Sequence, residues 1–499
     1  MNCRGSATFL CCTLAIFAGA ATPDPCTPPN FPLPQFGPAR VNVRDIGATG
    51  NGRDNDTAAI NRAIVKCSAS GGGDVIFPAG TYAAASIHLQ SGVRFLLDKD
   101  AIIVGAKSGY DPPEPNEFDK YQDFGHSHFH NALMWGEKID RFAIIGGRIN
   151  GGAIIEGDDP QGRDIGDKVI SIKSGRNLLF DGVTHETGGH FVYLLNDCEN
   201  VTLANVVVKK SRDGVNLVSC RNVQLHDCNV TGCGDDSLAL KSDYALGRKI
   251  DSEKIFVWNC YLESAANALQ FGAESVGNFR NINFWNIRIG RAWKAGIGMR
   301  SADGAIIDSV TYRDISMKQV DTPISITLGK RLLSGEPNRK VGAIRNVTIS
   351  NVTVTEQRPR MREIVRPSLI AGLPESPVEN ISLEHLRIVG RGGGTQQNKE
   401  GSTDQEKVKR REAALAAAGL FITHARDVRL QDVDLSYESR ESRPSLIARD
   451  VSGLSLEEVK MQKFAGNALI RLDQIGRLHI WRCPGLADRT IEHSNTTEE

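Results

Sequence analysis

The chain has 499 residues, 40% hydrophobic and 6% aromatic, with 50 glycines, and its 59 Lys and Arg balance 59 Asp and Glu. That balance excludes the basic field that draws a protein to nucleic acid or to an anionic membrane, and there is no polybasic run, RNA-binding signature or zinc-type Cys/His spacing. The length suffices for a large buried core, although repeat and all-β folds break the usual link between length and domain count.

In chain order the first feature is an apolar run from Ala7 to Ala21, behind a short basic start and with small residues at Ala18-Gly19-Ala20. This is the pattern of a secretory signal and is short for a membrane span. It predicts removal of residues 1–21 and a secreted protein, extracellular or periplasmic, with no membrane span. No convincing lipobox precedes Cys11 or Cys12. Eight cysteines follow, Cys26, Cys67, Cys198, Cys220, Cys228, Cys233, Cys260 and Cys483, too few and too clustered for a disulfide-dependent scaffold. A Cys26–Cys67 clasp is conceivable, and the others read as buried thiols.

Residues 22–135 read as an N-terminal cap and the first coils. Within them "NDTAAINRAIVKC" has helical spacing behind an Asp/Thr start. A helix there would cover the unpaired backbone at the open end of a repeat structure.

From about Asp140 one phrase returns, as "RNLLFDGV" at Arg176, "ENVTLANVVV" at Glu199, "RNVQLHDCNV" at Arg221, "RNINFWNIRI" at Arg280 and "RNVTISNVTV" at Arg345. Apolar and polar residues alternate within it, which is strand periodicity, and the Asn or Gly that leads into each strand suits a turn in the left-handed region. Asn177, Asn200 and Asn222 are 23 and 22 residues apart. Strands at that period without intervening helices predict an all-β, single-stranded parallel β-helix over residues 136–485. A leucine-rich frame is missing, and propeller blades would need about 40 residues. Cys198 over Cys220, and Cys228 over Cys260, then form stacked columns. Residues 391–418 read as an insertion with one helix, and 486–499 as a polar tail.

The stretch "TGCGDDSLALKS", Thr231 to Ser242, sets Asp235 beside Asp236. In a regular strand one of the two would point into the core, and burying an unpaired carboxylate is costly, so the chain must bend or partner both. Asp213, in "SRDGVNLVSC", precedes Asp235 by 22 residues, one coil. That spacing stacks three carboxylates on one outer surface. Like charges so close raise at least one pKa, which lets a protonated acid and an ionised base coexist, as glycosidic cleavage requires. The bland alternative is that "GDD" and "RDG" are turns in which Asp bonds its own backbone.

These motifs resemble glycoside hydrolase family 28, the polygalacturonase and rhamnogalacturonase-like right-handed β-helices of pectin degradation. That family carries Asn-Thr-Asp, Asp-Asp, Gly-His-Gly and Arg-Ile-Lys in order. "GDDSLALKS" is very close to the second motif, and "RDG" keeps the acid of the first without the Asn-Thr. The resemblance implies Asp236 as general acid, with Asp213 and Asp235 holding and activating water, and hydrolysis with inversion. "SAANALQFGAES" places Asn267 where the family has His, and "GIGMRS" gives Gly298 and Arg300 for its Arg and Lys. Rhamnogalacturonan-type members also depart at the His motif, so galacturonan and rhamnogalacturonan are both candidate substrates. Arg300 suits bidentate binding of a sugar carboxylate.

Further candidates for substrate binding are Lys241, which either neutralises the Asp pair or touches sugar, and Glu274, with Lys330 and Arg331 beside it in the list of loop residues. "FGHSHFHNALMWG" sets His126, His128 and His130 on alternate positions, sharing a face if this is a strand. A polar rim of the sugar cleft containing His128 is preferred there to a metal site, because no matching carboxylate ligand is evident nearby. The expectation is therefore an enzyme without cofactor or metal, acting as a monomer on a polysaccharide. A Ca²⁺-dependent lyase and a non-catalytic carbohydrate-binding β-helix are the alternatives. Long loops after Ser242 and Thr327 would wall the cleft and favour attack at chain ends.

Overall fold

A computed structural model describes residues 24–122, 124–158, 164–358, 366–394 and 416–499. The signal reading of residues 1–21, and most of the 391–418 insertion with its helix, lie outside the described residues. The fold is a parallel β-helix, as the repeat predicts.

One coil shows how the sequence builds it. Glu199–Ala204, Val207–Val208 and Asp213–Val218 are three strands meeting at corners. Each pairs in parallel with its equivalent one coil before and one coil after, so three ladders run the length of the molecule. Inward residues alternate along each strand: Val201, Leu203, Val215 and Leu217 are all buried. Aromatic rings continue the same columns, with Phe95, Phe142, Phe180 and Tyr193 in successive contact at 5.2, 6.4 and 5.0 Å.

The corners explain the recurring asparagine. Asn177, Asn200 and Asn222 have φ of 54°, 55° and 53°, the left-handed region that costs an ordinary side chain about 1–2 kcal/mol. Their amides also form a column. Asn222 Nδ2 donates to Asn200 Oδ1 at 3.2 Å, Asn200 Nδ2 to Asn177 Oδ1 at 3.0 Å, and Asn177 Nδ2 to Asp140 Oδ1 at 2.7 Å.

Both ends are covered. The predicted helix spans Thr57–Ala69 and buries Ala59, Ile60, Ala63, Ile64 and Cys67 against the first strands. Asp56 precedes it, but its carboxylate accepts from the Thr49 and Gly50 amides at 2.7 and 3.1 Å rather than from the helix. At the other end the polar tail forms a strand, Arg489–Glu498, antiparallel to Ile470–Trp481. The Cys26–Cys67 clasp is not made: all eight described cysteines are free and buried. Cys67 faces the core from the cap helix, and Cys26 packs against Trp258 and Trp285. The stacked cysteine columns are present, since the strand registers set Cys198 beside Cys220 and Cys228 beside Cys260.

Asn200→Ala is expected to lose about 2 kcal/mol of stability, and Asn200→Gly to recover roughly half by accepting the positive φ. Guanidinium unfolding midpoints of the two variants would separate backbone strain from the lost amide ladder; equal losses would assign the cost to the ladder alone.

Candidate active site

The three aspartates meet where two successive coils turn into one ladder. Val215 lies opposite Leu238, so Asp213 stacks on Asp236, 23 residues away, and not on Asp235 as the 22-residue spacing predicts. The extra residue is taken up in the bend after Asn229–Cys233, where the pairing with the next coil slips. The bend also resolves the problem of adjacent acids. Asp236 is buried at 8% exposure beside Asp213 at 4%, while the Asp235 side chain stays about one-third exposed at the rim.

The inner pair is held by short polar contacts. Asp213 Oδ1 accepts the Asp236 amide at 3.3 Å, and Asp213 Oδ2 accepts Asn216 Nδ2 at 3.1 Å. Asn267 Nδ2 donates to Asp236 Oδ1 at 2.8 Å, and its amide nitrogen to the same oxygen at 3.3 Å. Asn267 Oδ1 accepts from the Ala295 amide, which fixes the side-chain amide with its NH₂ toward the acid. Burial, then the neighbouring Asp213 and Asp235 charges, push the Asp236 carboxyl up to about 7. Burial pushes Asp213 up to about 6 against the opposing Lys241 charge. Asp235 pairs with Lys294 Nζ at 3.2 Å and lies 3.8 Å from the Arg212 guanidinium.

Behind the pair lies a second charge cluster. Lys241 is buried, with Nζ 3.2 Å from Glu274 Oε2 and 2.9 Å from His126 Nε2. Burial pushes the Glu274 carboxyl up, but Lys241, His126 and Arg331 together hold it well below the carboxylate range. Burial, reinforced by Lys241, keeps His126 neutral and therefore an acceptor. Arg331 joins Glu274 at 3.4 Å to Asp303 at 2.5 Å. Arg300 occupies the strand position of Lys241 two coils further on, about 10 Å along the axis, and is half-buried. Lys330 reaches Glu375 at 3.0 Å.

The histidine reading needs correction. Phe124–Ser127 is a helical turn and not a strand, so the three histidines diverge. His126 reaches Lys241, and His128 is buried with Nε2 3.4 Å from Asp119. His130 bonds Glu137 at 2.8 Å. Carboxylates do stand nearby: Glu114, His130 and Glu137 form a cluster of the size a metal would need, as do Asp158, Asp167 and His190. Each holds a lysine among its acids, Lys173 at 2.5 Å from Glu137 and Lys168 at 2.5 Å from Asp167.

The walls come from the outward positions of the same ladder. One coil earlier Phe191 and Leu194, with Val218, are covered by Phe129, and further along Leu369 and Ala371 are covered by Phe421 and Ala417. Between these plugs the register runs Asn216, Ala239, Gln270, Gly298, Ser325, a floor containing small residues. A Cβ on Gly298 would lie 2.1 Å from Gln270 Oε1. The loops that follow Ser242 and Leu328 meet the 106–131 segment: the Tyr244 ring packs on Phe118 and Tyr121, and Asn116 bonds the Ala245 carbonyl at 2.9 Å.

Sequence reading missed His190, Arg212, Lys294 and Gln270. His190 is one coil before Arg212, which donates to its Nε2, and His190 Nδ1 lies 2.8 Å from Asp158. That 22-residue step between His190 and Arg212 was a usable signal. Lys294 had none, because it sits on a bulge between Ala292 and Ala295, 59 residues from Asp235.

A parallel β-helix with a buried, proton-sharing carboxylate pair and a third acid at its rim belongs to the acid/base class of site. The sequence model of glycosyl hydrolases family 28 matches residues 116–407, more than half of the chain, and the chain belongs to that family. Residues 40–111 match a second model, "Rhamnogalacturonase A/epimerase, pectate lyase-like". A Vitis vinifera protein named "Probable polygalacturonase" is 23% identical over 307 residues, 56% of this chain and 60% of that protein. This chain thus spans less than two-thirds of that relative's length. An Aspergillus niger protein named "Probable rhamnogalacturonase C" is 22% identical over 76% of this chain and 77% of its own. Among solved structures, the family 28 exopolygalacturonase of Yersinia enterocolitica superposes with a TM-score of 0.57 at 16% identity, covering 91% of this chain and 79% of its own, a likeness of fold.

Because folding raises the Asp236 pKa, its proton stabilises the fold at low pH, and that contribution is lost as pH rises toward about 7. Asp236→Asn is expected to remove this dependence and to gain on the order of 2–4 kcal/mol relative to wild type at pH 8 but little at pH 4. Urea unfolding at the two pH values measures it; an equal change at both would deny the raised pKa.

Proposed function

We propose that the protein is a secreted hydrolase that cleaves glycosidic bonds of a pectin-like acidic polysaccharide with inversion. The observation that carries this reading is the buried Asp213–Asp236 pair, with the Asp236 carboxyl pushed up to about 7. Asp236 Oδ1 already takes two hydrogen bonds from Asn267, so the proton belongs on Oδ2, which accepts no hydrogen bond among the described residues. Oδ2 delivers that proton to the leaving glycosidic oxygen. A water held between Asp213 and Asp235 attacks the anomeric carbon from the opposite face and gives its proton to a carboxylate. One water is consumed, and the next proton exchange with solvent resets the pair.

The family and the two pectinase-named relatives support the substrate class. Arg300 and Lys294 supply cationic groups for uronate carboxylates beside the acids. In this reading Lys241 and Glu274 act on the acids by charge from behind, because each is already spent on the other. Attack at chain ends is supported by the apolar plug one coil from Asp213, which leaves no room for a polymer to continue in that direction.

Wild type is expected to release new reducing ends from homogalacturonan or rhamnogalacturonan backbone, unaffected by chelator, with the inverted anomer seen first by proton NMR. Asp236→Asn should lower the rate by about 10²–10⁴-fold. Early short products with little loss of viscosity would support end attack. Unsaturated uronate that disappears with chelator would replace this reading with a lyase.

A further inference from the structure

Trp293 is one of four large hydrophobic side chains exposed among the described residues, at 37%. It and Lys294 are the two residues of the bulge between Ala292 and Ala295, where two strands change partners at the corner of the coil. A bulge re-aims side chains that a regular strand would alternate, and bulges gather beside active sites. Lys294 lies against the site, with its ammonium 3.2 Å from Asp235. It reaches across the intervening coil, which carries only Ala265 and Ala266 at this corner, and the Lys294 amide bonds the Ala266 carbonyl.

The indole is also held in place. The Arg291 guanidinium lies 5.2 Å from the centre of the ring, covering one face, and is itself 3.7 Å from Glu263. Glu263 in turn accepts from Tyr261 at 2.5 Å. A rigid aromatic surface with one face braced and the other open, next to two cations and a carboxylate of the cleft, matches the two sides of an acidic sugar. The pyranose ring presents apolar C–H groups to the indole and its carboxylate to the cations.

We propose that Trp293, with Lys294 and Arg291, forms a subsite for a hexuronate ring adjoining the cleavage point. It rests on the reading of Asp213, Asp235 and Asp236 as the hydrolytic centre. Trp293 lies two coils, about 10 Å, from Asp235, which is one to two pyranose rings along a polymer. The ring in the well is therefore the one beside the acids, and the ring on Trp293 is its neighbour at the rim. Trp293 touches substrate only; no proton passes through it.

The test uses the full mature protein and galacturonate oligomers of two to six rings. Trp293→Ala should lower kcat/KM on the longer oligomers about tenfold, mostly through KM, and Trp293→Phe should restore most of it. Binding is read separately in the Asp236→Asn background by indole fluorescence. Oligomers should change the emission, Trp293→Phe should abolish that change, and Trp481→Phe, at the other exposed tryptophan, should leave it. Hydrolysis unaffected by Trp293→Ala, with no Trp293-dependent emission change, would overturn the subsite and leave the hydrolase reading standing. A Trp293-dependent emission change in a protein that cleaves nothing would support the subsite and overturn the hydrolase reading. Absence of both cleavage and emission change would overturn the two together.

Discussion

Each coil of this molecule has its backbone donors and acceptors satisfied by the coils on either side, and everything else follows from that. A parallel ladder allows little freedom of register, so a residue at one place in a coil has the same place in the next, about 4.8 Å away. Whatever suits a corner once must suit it repeatedly. Asparagine does so twice over, because it tolerates positive φ and its amide both donates and accepts along the stack. The same rule concentrates chemistry: two aspartates one coil apart are forced into contact whether or not they repel.

That repulsion is managed by where the cations stand. Asp236 and Glu274 are both buried carboxyls a few residues apart in the ladder, yet their pKa values move in opposite directions. Burial is the largest influence on each, so burial does not distinguish them. Glu274 is flanked by Lys241 and Arg331 and stays charged, whereas Asp236 has Asp213 and Asp235 as its next strongest influences and holds its proton. Lys241, placed behind both, is strong enough to keep the acids near 6 and 7 rather than far higher, and too committed to Glu274 to neutralise them outright. A general acid working near neutral pH needs this intermediate state.

Much of this was legible in the chain because the fold is periodic. The phrase length, the turn asparagines, the cysteine columns and the cap helix could all be read from spacing alone, since each repeats or has its own local pattern. The acid cluster was legible for the same reason, although one residue inserted in the bend moved the stacking partner of Asp213 from Asp235 to Asp236. What stayed hidden lies off the period. Lys294 reaches Asp235 from a bulge, and His126 arrives at Lys241 from a segment 115 residues away that breaks the alternation on which the histidine reading depended. Arg212 and Asp158 meet only through His190, a contact between a ladder and a loop.

The departures from the family's motifs also become one consistent arrangement. Where the family has a histidine, Asn267 spends its oxygen on the Ala295 amide and its NH₂ on Asp236. The acid is thus oriented by a dipole that does not titrate, and its proton is governed by the aspartates and Lys241 alone. Where the family has an arginine, Gly298 leaves the space that Gln270 fills, since even a methyl group there would lie 2.1 Å from its Oε1. The glutamine amide donates to the Phe271 carbonyl and stays on the floor of the well, so the cationic role passes to Arg300 further along and to Lys294 at the rim. Cations moved from the centre of the floor to its edges are placed to meet carboxylates of the rings beside the cleaved bond rather than of one ring at its centre, and a polymer in which acidic and neutral sugars alternate fits that placement better than one that is acidic at every ring.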